Sequence, residues 1–283
     1  MGEIRKIDRY FNGNKAEDGA GVSLYRTFGY HEIPDFDPFL MMDFFDSENP
    51  EDYTKGFPWH PHRGIETVTY LISGEIEHED SIGNKGTIYD GDCQWMTAGS
   101  GIMHQEMPKA SPKMLGIQLW VNLPKKDKMT DPKYRDIRKE MIPEYKDENM
   151  TVKVLAGKFK GIEGPIEGID AEPIFLDVEL VPNSEFEFQL DSSFNVFTFL
   201  VGGEANFNTD KEEIVSHPKG VLYKEGDYVR INTKENGGRF LLIAGKPLNE
   251  PISWGGPIVM NTKEELDLAF KEISEGSFIK KSV

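Results

Sequence analysis

The candidate chemistry of this chain is concentrated in two short polar pairs. His60-Pro61-His62 is a His-x-His motif, and alternate side chains of an extended strand share a face, so both imidazoles can enter one space. Forty-two residues beyond His62 stands His104-Gln105-Glu106, again spaced by two and directly behind the glycine-rich turn Ala98-Gly99-Ser100-Gly101. Two strands that each present such a pair bring four ligands together: His60, His62, His104 and Glu106. Three imidazoles and one carboxylate suit a first-row divalent ion, and an octahedral ion keeps positions open for water, substrate or dioxygen. The site would carry about +1 in formal charge, which favours an anionic oxygen ligand such as an enolate. A closed structural zinc site has no vacancy and usually draws on cysteine, which is missing from this constellation.

Such pairs need strands to carry them, and the composition favours strands. The 28 glycines and 17 prolines among 283 residues make turns frequent and long helices few. Segments rich in β-branched and aromatic residues fall at 66–72, 116–123, 151–155, 174–180, 186–190, 196–201, 228–231 and 239–243, each bounded by Gly, Pro, Asn or Asp. That spacing belongs to a sandwich or barrel. Residues 69–75 parallel 198–204, and Tyr89-Asp90-Gly91-Asp92 parallels Lys224-Glu225-Gly226-Asp227, at offsets of 129 and 135, so one β-domain reads as duplicated. At those offsets His60 and His62 correspond to Gln189 and Asp191, and His104 and Glu106 to Arg239 and Leu241. The second copy is therefore expected to be free of metal.

The expected organisation is all-β, with two tandem barrels: a metal-binding barrel at 1–130, a connector with a short helix at 131–145, and a metal-free barrel at 146–283 ending in an α-helix. That helix is announced by the capping box Thr262-Lys263-Glu264-Glu265, followed by Leu266, Ala269, Phe270 and Ile273 on one stripe. It is expected to pack on the second barrel.

With 49 acidic against 32 basic residues the net charge is −17, which argues against a phosphate-backbone surface and hence against direct nucleic-acid binding. The densest basic run, from Lys125 to Lys139, is interrupted by Asp127, Asp131 and Asp136 and reads as a solvated linker face. Cys93 is the single cysteine, so no intrachain disulfide forms, and it reads as a small buried residue. No apolar run approaches the ~18 residues of a spanning helix, and the N-terminus lacks a signal-peptide core. Elimination gives a cytoplasmic address and no membrane partner. His31 and His217 read as loop residues, His78 as an exposed residue of an acidic strand, and the run Phe39, Leu40, Met41, Met42, Phe44, Phe45 as core packing.

At this point the residues resemble a family. His60, His62 and Glu66, then Gly74 and a glycine-rich motif ending at His104, resemble the two motifs of the cupin superfamily, whose fold is a small β-barrel. More closely, Gly56-Phe57-Pro58-Trp59-His60-Pro61-His62-Arg63-Gly64-Ile65-Glu66-Thr67, together with the run 91–108 and Gln118-Leu119-Trp120-Val121-Asn122-Leu123-Pro124, is similar to the pirins. The resemblance implies a bicupin with iron(II) held in the first barrel by His60, His62, His104 and Glu106. Manganese, cobalt, nickel and copper suit the same donors. In many cupins the glutamate matching Glu66 is a ligand, whereas the pirin pattern uses the one matching Glu106. Arg63-Gly64 can bulge the strand and spoil the parity of Glu66, leaving it as a support paired with Arg63 or hydrogen-bonded to a ligand.

The resemblance also implies a metal-dependent dioxygenase of the quercetin 2,3-dioxygenase kind. Its substrates would be dioxygen and an enolizable flavonol-type aromatic, with Glu106 as the base and residues around Trp59 and Met103 lining an apolar mouth. The alternative reading is an iron-binding, redox-responsive regulatory protein that acts through protein partners without turnover.

Overall fold

The structure is a computed structural model that describes residues 2–208 and 210–280. It is built of short antiparallel strands, and each of the eight segments expected from sequence overlaps one. Two compact units form. One comprises residues 13–34, 38–139 and 248–280, and the other residues 2–12, 35–37 and 140–247 without 209. The ends of the chain are thus exchanged relative to the boundaries expected from sequence.

In the first unit a seven-stranded sheet runs in the order Lys133–Ile137, Cys93–Thr97, Ile65–Ser73, Met114–Asn122, Phe39–Ser47, Val22–Phe28, Asn14–Asp18. A four-stranded sheet runs Phe57–His62, Ile102–Pro108, Ile76–Asp80, Lys85–Ile88. Core residues from both, among them Val22, Leu24, Leu71, Ile76, Ile88 and Met114, form one buried cluster. Each such side chain contributes about 1.5–3 kcal/mol of transfer free energy. The run from Phe39 to Phe45 is buried as expected, but Met41, Asp43 and Phe45 share one face of their strand and line a cavity.

The expected connector carries a short helix only as the 3₁₀ turn Lys139–Met141 and is otherwise different in structure. Residues 133–137 do not carry a helix; they pair residue by residue with Cys93–Thr97 as an edge strand, from Lys133↔Thr97 to Ile137↔Cys93. Mixed charge on this segment suits an exposed sheet edge as well as it suits a linker, which is why composition alone misassigned it. Short 3₁₀ turns at Lys125–Asp127 and Lys139–Met141 flank it.

The C-terminal helix Lys263–Glu275 has the expected start: Thr262 accepts from the Glu265 N–H and the Glu265 carboxylate accepts from the Thr262 N–H. It ends at Gly276, whose φ of 71° is the left-handed conformation that closes helices. Its packing differs from expectation. Ala269 meets Ile258, Met260 and Phe278 in the first unit, because the chain returns there after Pro247. Chain order was the only guide the sequence offered, and it misled.

The second unit is built on a ten-stranded assembly, with a further two-stranded pair at Lys158–Phe159 and Ile162–Glu163. In the assembly Ile7–Phe11 pairs with Lys219–Tyr223, Asn195–Asn206 with Gly238–Gly245, and Glu185–Gln189 with Tyr228–Asn232. Its interior is a phenylalanine-rich cluster that includes Phe159, Phe186, Phe188, Phe207 and Phe240.

Candidate metal centre

The four residues singled out from sequence sit on one antiparallel strand pair. His104 lies opposite His60 and Ile102 opposite His62, and the register shifts between His104 and Glu106 so that Glu106 faces Phe57. Along Ile102–Pro108 burial alternates strictly, with Ile102, His104, Glu106 and Pro108 inward. The preceding strand stops at His62 and the next begins at Ile65. Gly64 makes that break with φ of 77°, and a Cβ there would lie 2.0 Å from the Val259 carbonyl oxygen, so only glycine fits.

His60, His62 and His104 form a cluster whose ligand atoms lie within 4.8 Å of one another. His60 Nδ1 donates to the Pro58 carbonyl at 2.8 Å, and His62 Nδ1 donates to the Pro257 carbonyl at 3.1 Å. Both rings therefore keep the Nε2 lone pair free, and the two Nε2 atoms face each other at 3.1 Å. Two lone pairs at that distance repel unless a cation lies beside both. Nitrogen ligands ~2.1 Å from one ion and at right angles would stand ~3.0 Å apart, so the spacing fits a shared ion. His104, 1% exposed, has no hydrogen-bond partner on either ring nitrogen. An orphaned imidazole in a buried site is the other mark of a missing ligand.

Burial pulls His62 down to about 3, and the neighbouring His60 adds to that. Burial likewise holds His104 well below the ordinary range, with His62 and His60 acting in the same direction. Both rings are neutral at pH 7, the form that binds metal.

Glu106 is buried on the same strand as His104, but the group whose ligand atoms lie within 4.8 Å of one another comprises the three histidines and not Glu106. Burial raises its carboxyl above the ordinary range, while His60, the Thr69 hydroxyl and His78 pull it back. Thr69 Oγ1 lies 2.9 Å from Glu106 Oε1 and 2.5 Å from the side-chain amide of Gln118. Both neighbouring atoms, Glu106 Oε1 and Gln118 Oε1, accept from the Thr69 hydroxyl, whose one proton serves one of them at a time.

A cavity of about 680 Å³ opens beside the histidines, and His60, His62 and Glu106 are in its wall. Its apolar side is Met41, Phe45, Phe57, Trp120 and Trp254. Its polar side includes Arg26, which grips Asp43 through two bonds of 2.9 and 2.8 Å and reaches Asp18 at 2.7 Å. The hydrogen bond to Asp43 holds the guanidinium above its ordinary value. Of the residues around Trp59 and Met103 expected at the mouth, Phe57 and Pro58 are in the cavity wall, whereas Trp59 and Met103 themselves are not. The cause is parity: each alternates with a histidine and projects to the other face, where Trp59 is 46% exposed.

Three other expectations are revised. Glu66 sits on a different strand from the histidines and accepts from Trp95 Nε1 at 2.9 Å and Thr97 Oγ1 at 2.6 Å, so it supports the sheet and touches neither Arg63 nor a ligand by hydrogen bond. His78 is buried at 3% exposure; it stacks on Tyr134 and lies 3.3 Å from Asp136. Its acidic neighbours Glu77 and Glu79 take the outer face of the strand, leaving position 78 inward, directly opposite Glu106. Lys128, read as part of a solvated run, is 2% exposed and donates to three acceptors. Cys93 is buried, and His31 and His217 are exposed, as expected.

Sequence reasoning missed Thr69 and Gln118, which are register partners on adjacent strands. The available signal was a polar side chain at an inward position of an apolar strand. Pro257 and Trp254 had no local signal, because only the return of the chain brings them to the site.

Residues 21–121 match the family described as Pirin, and residues 175–279 match the Pirin C-terminal cupin domain. A pirin-like protein of Caulobacter vibrioides is 41% identical over 278 residues, covering 97% of this chain and 99% of that protein. Pirin of Homo sapiens is 37% identical over 273 residues, covering 95% and 92%. Among solved structures, quercetin 2,3-dioxygenase from Acinetobacter baumannii superposes with a TM-score of 0.86 at 32% identity, covering 97% of this chain and 98% of that one.

Proposed function

Because the chain belongs to the pirin family, we propose that it is a metal-dependent dioxygenase of flavonol-type aromatics. The observation that carries this reading is the set of three clustered imidazoles beside a cavity with aromatic walls. His60, His62, His104 and Glu106 would hold one divalent ion, iron(II) first, with manganese, cobalt, nickel and copper suited to the same donors. When bound, the ion supplies a Lewis acid that makes a substrate hydroxyl acidic and a redox-capable centre for dioxygen.

The chain's own residues do the rest. Trp120, Trp254, Phe45 and Phe57 take a flat ring by stacking and exclude water from the reacting face. Glu106 takes the hydroxyl proton; Thr69 engages Oε1, which leaves Oε2 for the proton. The likeness to a quercetin 2,3-dioxygenase supports the substrate class.

The test is oxygen uptake by the protein reconstituted with each metal against a panel of flavonols and catechols. Uptake that follows metal content supports the reading. No uptake under any metal overturns it in favour of the regulatory alternative. Glu106→Gln refines the assignment: the amide still offers an oxygen to the metal but accepts no proton, so metal is retained in part while turnover falls by ~10² to 10⁴. Full activity in that variant removes Glu106 as the base.

A further inference from the structure

The residue that orients His62 lies 195 positions away in sequence, at Pro257. Pro257 belongs to a C-terminal segment that is fastened to the backbone immediately after His62. The Val259 N–H donates to the Arg63 carbonyl at 3.1 Å, and Lys128 Nζ bridges the Gly64 and Val259 carbonyls at 2.8 and 2.9 Å. The Arg63 side chain, 1% exposed, reaches the far end of the same segment. Its guanidinium donates to the Phe278 carbonyl at 2.9 Å, pairs with Glu272 at 2.8 Å and stands 4.3 Å over the Phe278 ring, while Nε holds Ser100.

We propose that the segment 253–280 is a positioning element of the metal centre, seated by Arg63 and Lys128 so that the Pro257 carbonyl fixes the tautomer and ring plane of His62. Two buried basic side chains, Arg63 and Lys128, find their full set of acceptors only while the segment is docked, so docking is close to all-or-none. The acceptor for His62 Nδ1 arrives with it. Docking and metal binding are then linked, and the linkage is reciprocal: loosening the segment weakens metal affinity, and metal protects the segment to the same degree. This inference rests on the histidines holding metal and not on any oxygenase activity.

The test uses the full chain and Co(II) alone. Glu272→Gln and Phe278→Ala, singly and together, release the clamp without touching a ligand. The double variant should raise the Kd for Co(II) by ~10- to 100-fold, the usual consequence of losing the group that orients a ligating histidine. Hydrogen exchange at 258–260 should quicken, and Co(II) should slow it in the wild type. Two signatures report positioning in particular: a changed Co(II) absorption spectrum and a moved ¹⁵N shift of His62 Nδ1. If the double variant fails to fold, Glu272→Gln alone is read by the same criteria, with a smaller expected change. Exchange that rises tenfold with Kd within twofold of wild type overturns the proposal, as does exchange unchanged in the variants. Wild type that binds no Co(II) overturns the metal reading itself.

Discussion

Two strand pairs occupy matching places in the two units and face inward with opposite chemistry. In the first, Phe57–His62 lies against Ile102–Pro108 and turns His60, His62 and His104 inward. In the second, Glu185–Gln189 lies against Tyr228–Asn232 and buries Phe186, Phe188, Val229 and Ile231, while Glu187 and Arg230 meet on the outer face at 2.7 Å. The second interior is closed by rings: Phe186 stacks on Phe159 at 5.7 Å and meets Phe240 edge-on at 5.5 Å. One scaffold thus serves two ends. Where polar side chains take the inward parity a cavity opens beside them, and where phenylalanines take it they pack against one another.

The largest expected effect is on metal and tests the first half of that contrast. His62→Ala should take bound metal from near stoichiometric to background by elemental analysis. Unchanged metal content would remove the strand pair from the site. The second effect is on stability and tests the other half. Phe240→Ala, at a fully buried position between Phe186 and Phe207, should cost about 3–5 kcal/mol in urea unfolding and leave metal content per folded chain unaltered. Metal loss in that variant would mean that the two interiors do not have separate duties.

Much of this was legible in sequence because it depends on period two. The His-x-His and His-x-Glu spacings placed their side chains on a common face, and the alternation along Ile102–Pro108 is the same arithmetic. Arg63-Gly64 also announced the break that separates Glu66 from the histidines. What was illegible depends on chain return and register. The 135 offset set His104 against Arg239, but Arg239 lies on Gly238–Gly245, the neighbour of the central strand Asn195–Asn206, and pairs with Asp177. The strand that matches Ile102–Pro108 by pairing is Tyr228–Asn232. A short Gly-Asp turn recurs before different strands, so it could not fix the equivalence. The burial of Lys128 was hidden for a related reason: its acceptors Gly64, Asn122 and Val259 come from three separate parts of the chain.

Lys128 provides a third and smaller test, confined to the first unit. Lys128→Met strips donors from three acceptors and should destabilise by about 3 kcal/mol. The effect carries a pH signature. Burial draws the ammonium down to about 7, against the pull of Glu250 and Glu265. From pH 7 to roughly 10.4 the unfolded chain therefore binds a proton that the folded chain has released, and stability rises with pH across that window. The methionine variant should lack this rise. A parallel pH dependence in both proteins would show that Lys128 keeps its charge through the three acceptors.

The smallest expected effect is the sharpest test of the metal-free copy. Gln189 and Asp191 are where the 129 offset places His60 and His62, yet neither turns into the second interior. Gln189 is exposed at the end of its strand, opposite Tyr228. Asp191 is exposed too and spends its carboxylate on Ser193, accepting from the hydroxyl at 2.7 Å and from the backbone N–H at 2.9 Å, which holds it below the ordinary carboxylate range. Above the unfolded-state pKa that turn is intact, and it loosens as pH falls through the lower folded value. Replacing Gln189 by Ala and Asp191 by Asn should therefore leave metal content and any oxygen uptake at the wild-type level, with only a slight loss of thermal stability that disappears in acid. A fall in metal content would place a ligand in the second unit and end the division of labour between the two strand pairs.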